Sequence, residues 1–222
     1  MKLALVRGAG DVATGVALRL RREGYAVVCT ELPRPTCLRR AVSFAEAVYE
    51  GTWQVEGVEA HLARGPEEAL RLAERGKVPV LAPEGDALAQ LRPRVLVDAR
   101  MAKRNLGTRI EEAPVVIGLG PGFVAGVDCH AAVETLDGPD LGRVYLSGSP
   151  IPPTHEPCGI GGLSQGRVVR APAPASSMAS DASESLWKWD SSSPAVAGSR
   201  SLPHVPGWCG GSCGPGSRPA RG

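Results

Sequence analysis

VLVDARMAKRNLGTRIEEAPVVIGLGPGFVAGVDCHAAVET, residues 95–135, is the stretch that decides the fold. Residues 95–97 and 115–119 are short apolar runs bounded by turn residues, the pattern of strands covered on both faces. A basic segment separates them. Gly118, Gly120 and Gly122 follow the second run directly. Glycines in that place let a backbone come close to a ligand where side chains would prevent it.

Working outward, the rest of residues 1–174 alternates strand and helix. Residues 3–7 form a first strand. Gly8-Ala9-Gly10-Asp11-Val12-Ala13 makes a turn that opens a helix, and Gly24 ends it. Val12, Val16 and Leu20 recur every four residues beside Ala13 and Ala17, which predicts one packed face. Residues 25–30 read as a second strand, and 32–35 as a rigid Pro-rich exit. A short helix is expected over 42–49. A hairpin turning on Glu56-Gly57 follows, with arms 52–55 and 58–62. Residues 66–75 carry Pro first, acids next and Gly76 after, a helix with matching caps and dipole. A strand over 78–81 and a helix over 86–91 come next. Residues 129–135 are expected to be helical, capped by Asp128, and 143–147 to form the last strand. The sum is an α/β fold, a Rossmann-like, mostly parallel sheet with flanking helices.

A net charge of +2 argues against a dedicated nucleic-acid binder, and 43% hydrophobic residues allow a real core. No apolar run is long enough to cross a membrane. Met1-Lys2 leads into a segment too short for a signal-peptide core, so a cytoplasmic location is expected. The cysteines Cys29, Cys37, Cys129, Cys158, Cys209 and Cys213 contain no CxxC pair and no disulfide framework. No metal set is assigned. Cys209 and Cys213 supply two thiolates, too few to close a zinc site, and His155, Glu156 and Cys158 lack a second cluster.

Residues 175–222 break the pattern. They are rich in Ser, Gly and Pro and have no helical or strand period, so they read as an irregular, disordered tail. A shifted reading frame explains them better. Back-translated with codons ending in G or C and read one base earlier, residues 207–217 give Val-Val-Arg-Gly-Leu-Leu-Arg-Pro-Gly-Leu. Residues 186–191 treated in the same way give Val-Glu-Val-Gly-Gln. Both phrases look like a small barrel of the biotinyl or lipoyl type, which points to a single-base change near residues 172–177.

Two glycine loops carry the candidate binding residues. Gly8-x-Gly10-x-x-Ala13 follows a strand and opens a helix, the context of a dinucleotide fingerprint. Glu31 ends the second strand, where an acid would bind ribose hydroxyls and favour NAD over NADP. The alternative is a tight Rossmann-like turn with no cofactor. Gly118, Gly120 and Gly122 read either as an anion cradle or as a strand exit. Arg100, Lys103, Arg104 and Arg109 surround Asn105 and could grip phosphates, or could be a solvated face partnered by Glu111 and Glu112. Arg39 and Arg40 carry the same ambiguity. Cys129, at the expected helix start, would have a lowered pKa. Together with His130 and Lys103 it is a candidate for chemistry, against the alternative of a buried Cys and a satisfied His. Cys37 is a weaker candidate.

Four segments, LVRGAGDVATGVALRLRREGY, TELPRPTCLRRAVSFAEAVYEG, the run over 97–135, and LGRVYLSG with the turn at 159–162, together resemble the accessory proteins of selenium-dependent molybdenum hydroxylases (the YqeB type). The resemblance covers nearly all of residues 1–174. It implies a maturation factor that delivers or modifies the molybdenum cofactor, with molybdopterin or a nucleotide as ligand and a molybdenum hydroxylase apoenzyme as partner. It fixes no catalytic residue. Such proteins end in a small barrel, from which this tail departs. The competing readings are an NAD-dependent oxidoreductase and a nucleotide-sensing binding module.

Overall fold

The structure, a computed structural model, describes residues 1–153. The tail, its frame-shift reading and the candidates His155, Glu156, Cys158, Cys209 and Cys213 lie outside the described residues. In chain order the elements are β1 (Leu3–Arg7), α1 (Asp11–Arg22), β2 (Ala26–Thr30), α2 (Ala47–Glu50), β3 (Thr52–Val55), β4 (Val58–Ala63), α3 (Pro66–Glu74), β5 (Val78–Leu81), α4 (Ala87–Leu91), β6 (Val95–Asp98), β7 (Val115–Leu119), β8 (Ala131–Val133) and β9 (Val144–Tyr145). Short 3-10 turns occur at Arg40–Val42, Phe44–Glu46 and Ile110–Glu112.

Among the described residues, nine strands form one sheet in the order β3-β4-β5-β2-β1-β6-β7-β8-β9. The seven strands from β4 to β8 run parallel, and an antiparallel strand closes each edge. This is the mostly parallel α/β fold that the alternation predicts. The winding reverses beside β1, since the chain steps one way to β2 and returns on the other side as β6. That reversal opens a crevice at the carboxyl ends of β1 and β6.

The core has two layers because strand side chains alternate. Ala4, Val6, Val27, Cys29, Val95 and Val97 face one way, against Ala13 and Ala17 of α1 and the buried Phe44. Leu3, Leu5, Val28, Leu96 and Val116 face the other way, against Ala69 and Ala73 of α3 and Leu91 of α4. The hairpin forms as the sequence predicts. Glu56 and Gly57 both take positive φ, at 48° and 75°, which suits a two-residue turn between twisted strands.

Two expectations are corrected. Helix α1 buries Ala13, Thr14, Ala17 and Leu18, while Val12 is exposed and Val16 and Leu20 are half-buried. Small side chains let the helix sit close to the sheet, so the buried stripe lies a residue round from the apolar spacing. The helix expected over 129–135 does not form. Ala131–Val133 is a strand that pairs in parallel with β7 and antiparallel with β9. Sheet pairing overrides the helix preference of alanine here. Asp128 caps a loop instead, its Oδ2 accepting from the Val124 amide at 2.9 Å.

With no helix after it, the second glycine loop packs on its own chain. A Cβ on Gly118 would lie 2.3 Å from the Phe123 ring. Gly118→Ala should therefore destabilise the protein by about 1–3 kcal/mol through overpacking. Urea denaturation of the two forms checks this, and shortening the ring with Phe123→Leu should return part of the loss.

Candidate functional site

Strands β1, β2 and β6 share one sequence habit. Each is an apolar run that ends in a polar residue, Arg7, Thr30 and Asp98, and the register sets Arg7 opposite both others. The parallel arrangement thus gathers polar groups at one end of the sheet. A cleft of about 710 Å³ opens above them, within the range of small-molecule sites. Gly8, Gly10, Ala13 and Glu31 line it together, as do Glu84 and Arg100.

The first glycine loop is built for a close approach. Gly8 takes φ +99°, and a Cβ there would lie 3.0 Å from the Ala99 carbonyl oxygen. The Gly8 amide donates to Thr30 O at 2.8 Å. Ala9 is fixed on both sides: its carbonyl accepts from the Ala45 amide and from Thr14 Oγ1, and its amide donates to Glu31 Oε2 at 2.8 Å. Glu31 Oε1 accepts from the Leu32 amide, also at 2.8 Å. The Glu31 carboxylate is thereby held against the loop and inside the cleft. Gly10 stands at the start of α1 without a side-chain cap, so amides of the first turn are left for a ligand.

Arg7 lies buried beneath the cleft floor. Its Nε and Nη2 donate to Glu84, Nη1 donates to Thr108 Oγ1 and to Glu112 Oε2 at 2.7 Å each, and Nη2 reaches Glu112 Oε1 at 3.2 Å. That uses all five N–H groups of the guanidinium. Thr108 Oγ1 donates in turn to Asp98 Oδ2, which Arg100 also binds. Thr30 Oγ1 donates to Glu84 at 2.9 Å. Burial alone would favour a neutral Arg7, but its bonds to Glu84 and Glu112 outweigh it and raise the pKa above the ordinary arginine value. Burial likewise works to raise the Asp98 carboxyl, yet the bonds from Arg100 and Thr108 hold it below the usual carboxylate range. Glu112 is lowered against burial by Arg7 and the Arg109 amide.

The remaining candidates fall elsewhere. Gly118, Gly120 and Gly122 do not line the cleft. A Cβ on Gly120 would meet Thr135 Oγ1 at 2.7 Å, and one on Gly122 would meet the Arg104 Cα at 2.4 Å, so protein atoms fill the space these glycines leave. Cys129 and His130 enter β8 at its amino end, opposite the cleft. His130 Nδ1 accepts from the Val116 amide at 3.0 Å. Cys129 is fully buried, and burial pushes its thiol up rather than down. The lowered pKa expected for it depended on a helix that is absent. Lys103 is exposed, in a left-handed conformation (φ 61°), on the loop whose earlier residues Arg100, Met101 and Ala102 form a cleft wall. Arg40 is locked by Glu46, and Arg39 pairs with Asp11.

Cys37, the weaker sequence candidate, does line the cleft, and its Cβ lies 3.6 Å from where a Gly10 Cβ would stand. Burial raises its pKa, with Glu31 and Glu46 adding to the rise and Ser43 and Arg40 opposing it. A thiol held protonated is a poor nucleophile. Arg7, Glu84 and Thr108 were not marked by any motif. The signal that finds them is the charged or polar residue closing an apolar strand beside a glycine turn.

No family model matches the chain, and no solved structure matches it. It is similar to the uncharacterized protein YqeB of Escherichia coli (strain K12), 50% identical over 173 residues. The match takes in 78% of this chain and 32% of that protein, so the chain spans about a third of the length of this curated relative. The identity supports the resemblance to YqeB-type proteins and brings no activity with it.

Replacing Arg7 by Leu leaves Glu84 and Glu112 without their cation, and should cost about 3–5 kcal/mol of stability in chemical denaturation. Asp98, Glu112 and the buried Glu134, whose carboxylate is lowered against burial by the amides of Ile151, Leu136 and Thr135, all have folded pKa values below their unfolded ones. Their stabilisation is therefore full above about pH 5 and is lost as the pH falls through the unfolded and then the folded values. Melting temperature followed by circular dichroism should be flat from neutrality to about pH 5 as far as these groups govern it, then fall steeply.

Proposed function

We propose that this protein binds a nucleotide-like ligand, a dinucleotide or a molybdopterin species, between its first glycine loop and residues 99–101. We further propose that it serves as an accessory protein in the maturation of a selenium-dependent molybdenum hydroxylase, delivering or modifying the molybdenum cofactor. One observation carries the ligand reading. The cleft stands at the switch point of a doubly wound sheet, with Gly8, Gly10 and the start of α1 on one side and a fixed Glu31 beside them. These residues fit a pyrophosphate at residues 8–11 and a ribose diol at Glu31. The maturation reading rests on the resemblance of residues 1–174, to which the YqeB relative adds support. The hydroxylase apoenzyme is the partner this reading requires.

A binding role is favoured over turnover by the state of the cleft's acids and thiol. Glu31 is held by two amides and Glu84 by Arg7 and Thr30, while Cys37 is kept protonated. Each of these groups is already engaged or in the wrong protonation state for proton transfer or attack. Among the described residues no helix is long and apolar enough to cross a membrane.

Thermal shift of the full chain against NAD, NADP and molybdopterin tests the reading. A ligand at a hundred times its Kd should stabilise the fold by about 2.7 kcal/mol. Gly10→Ala should keep the unliganded melting temperature, since its methyl makes an ordinary contact with Cys37, but should lose the ligand-dependent rise. Absence of any rise with all three compounds would sink the ligand reading. A rise with NAD alone would favour the sensor or redox alternative.

A further inference from the structure

Arg100 lines the cleft, Arg7 lies beneath it, and Arg39 and Arg40 follow the lining residues Cys37 and Leu38; three of the four are committed. Arg7 is 8% exposed, between Glu84 and Glu112. Arg40 is clamped by the buried Glu46 and lies 5.1 Å from the Tyr49 ring centre. Arg100 binds Asp98, itself 2% exposed, through Nε and Nη2. Releasing any of them would strand a buried or half-buried carboxylate. Arg39 differs. Its side chain is 75% exposed and its one carboxylate partner is Asp11, at the first position of α1 and on the cleft wall. Exposed pairs of this kind contribute little. Arg39 follows Cys37 and Leu38, which also line the cleft; its backbone is held, with its carbonyl accepting from Ser43 Oγ at 2.6 Å, so the freedom to turn toward a ligand lies in its exposed side chain.

Resting on the nucleotide reading above, we infer that Arg39 is the phosphate-binding side chain of this cleft, and that Asp11 occupies its guanidinium until a ligand phosphate replaces it. Asp11 sits where the helix dipole and the free first-turn amides would attract the phosphate. The carboxylate and the phosphate therefore compete for the same positive groups. A planar guanidinium binds phosphate through two parallel bonds, which an ammonium cannot do. The cleft should consequently discriminate phosphate-bearing ligands from bare nucleosides, and Asp11 should set the threshold.

Calorimetric titration of the full chain with NAD and with adenosine tests this in the wild type, Arg39→Ala, Arg39→Lys and Asp11→Asn. Removing the competing carboxylate with Asp11→Asn should tighten NAD about threefold or more, and Arg39→Ala should weaken it about tenfold, with Arg39→Lys between. Adenosine affinity should be the same in all four. A loosened segment could mimic the loss in Arg39→Ala but not the gain in Asp11→Asn. If wild type binds NAD and Asp11→Asn does not tighten it, or if adenosine changes in step with NAD, the role of Arg39 is overturned and the nucleotide reading stands. If neither compound binds wild type or Asp11→Asn, the role of Arg39 falls with the dinucleotide reading, and only molybdopterin is left for the cleft.

Discussion

A single buried guanidinium holds the centre of this molecule together. Arg7 ends the middle strand of the sheet and reaches Glu84 beyond β5 and both Thr108 and Glu112 ahead of β7. A charge in that place would be costly alone. Its full set of bonds turns that cost into a constraint, because each partner must arrive in register for the charge to be satisfied. The loop over residues 99–109, the residues after β5 and the strand ends are thus positioned by one side chain. The cleft above inherits its shape from that arrangement, since Glu84 belongs to both.

Much of the fold was legible because a parallel sheet writes itself plainly. Strands buried on both faces are near-continuous apolar runs, and β1 and β5 begin and end where the sequence places them. The hairpin was legible for a different reason, since only a residue pair tolerant of positive φ can turn between β3 and β4. Strand β8 was not. It is three residues long and reads Ala-Ala-Val, a run with more local preference for helix than for strand. What makes it a strand is β7 on one side and β9 on the other, which no local pattern records.

The site divided along the same line. Gly8, Gly10 and Glu31 carry a local signature, and the fold brings them together. The second glycine loop carries an equally strong signature with a different cause. Glycine marks a close approach, but the sequence does not say of what. At Gly118 it is the Phe123 ring, at Gly120 the Thr135 side chain and at Gly122 the backbone of Arg104. The Cys129 and His130 pair failed through topology: residues leading into a parallel strand lie at the far end of the sheet from those leading out of one. Arg7, Glu84 and Thr108 were invisible as a group because they are distant in sequence and meet only through the strand register.

The pairing of β1 with β6 also bears on how the chain comes to be functional. Ala4 lies against Val95 in that pair, so the two walls of the cleft come from segments far apart in the sequence. Contacts so far apart in sequence carry a loop-closure cost that local contacts such as the β3–β4 hairpin avoid. A nascent chain that has made β1, α1 and β2 already holds the glycine turn and Glu31, yet has only half a crevice. Ligand recognition is therefore a property of the closed sheet. It cannot precede synthesis of β6, and any bound molecule would bridge β1 and β6 and act as the clasp of that long-range pair.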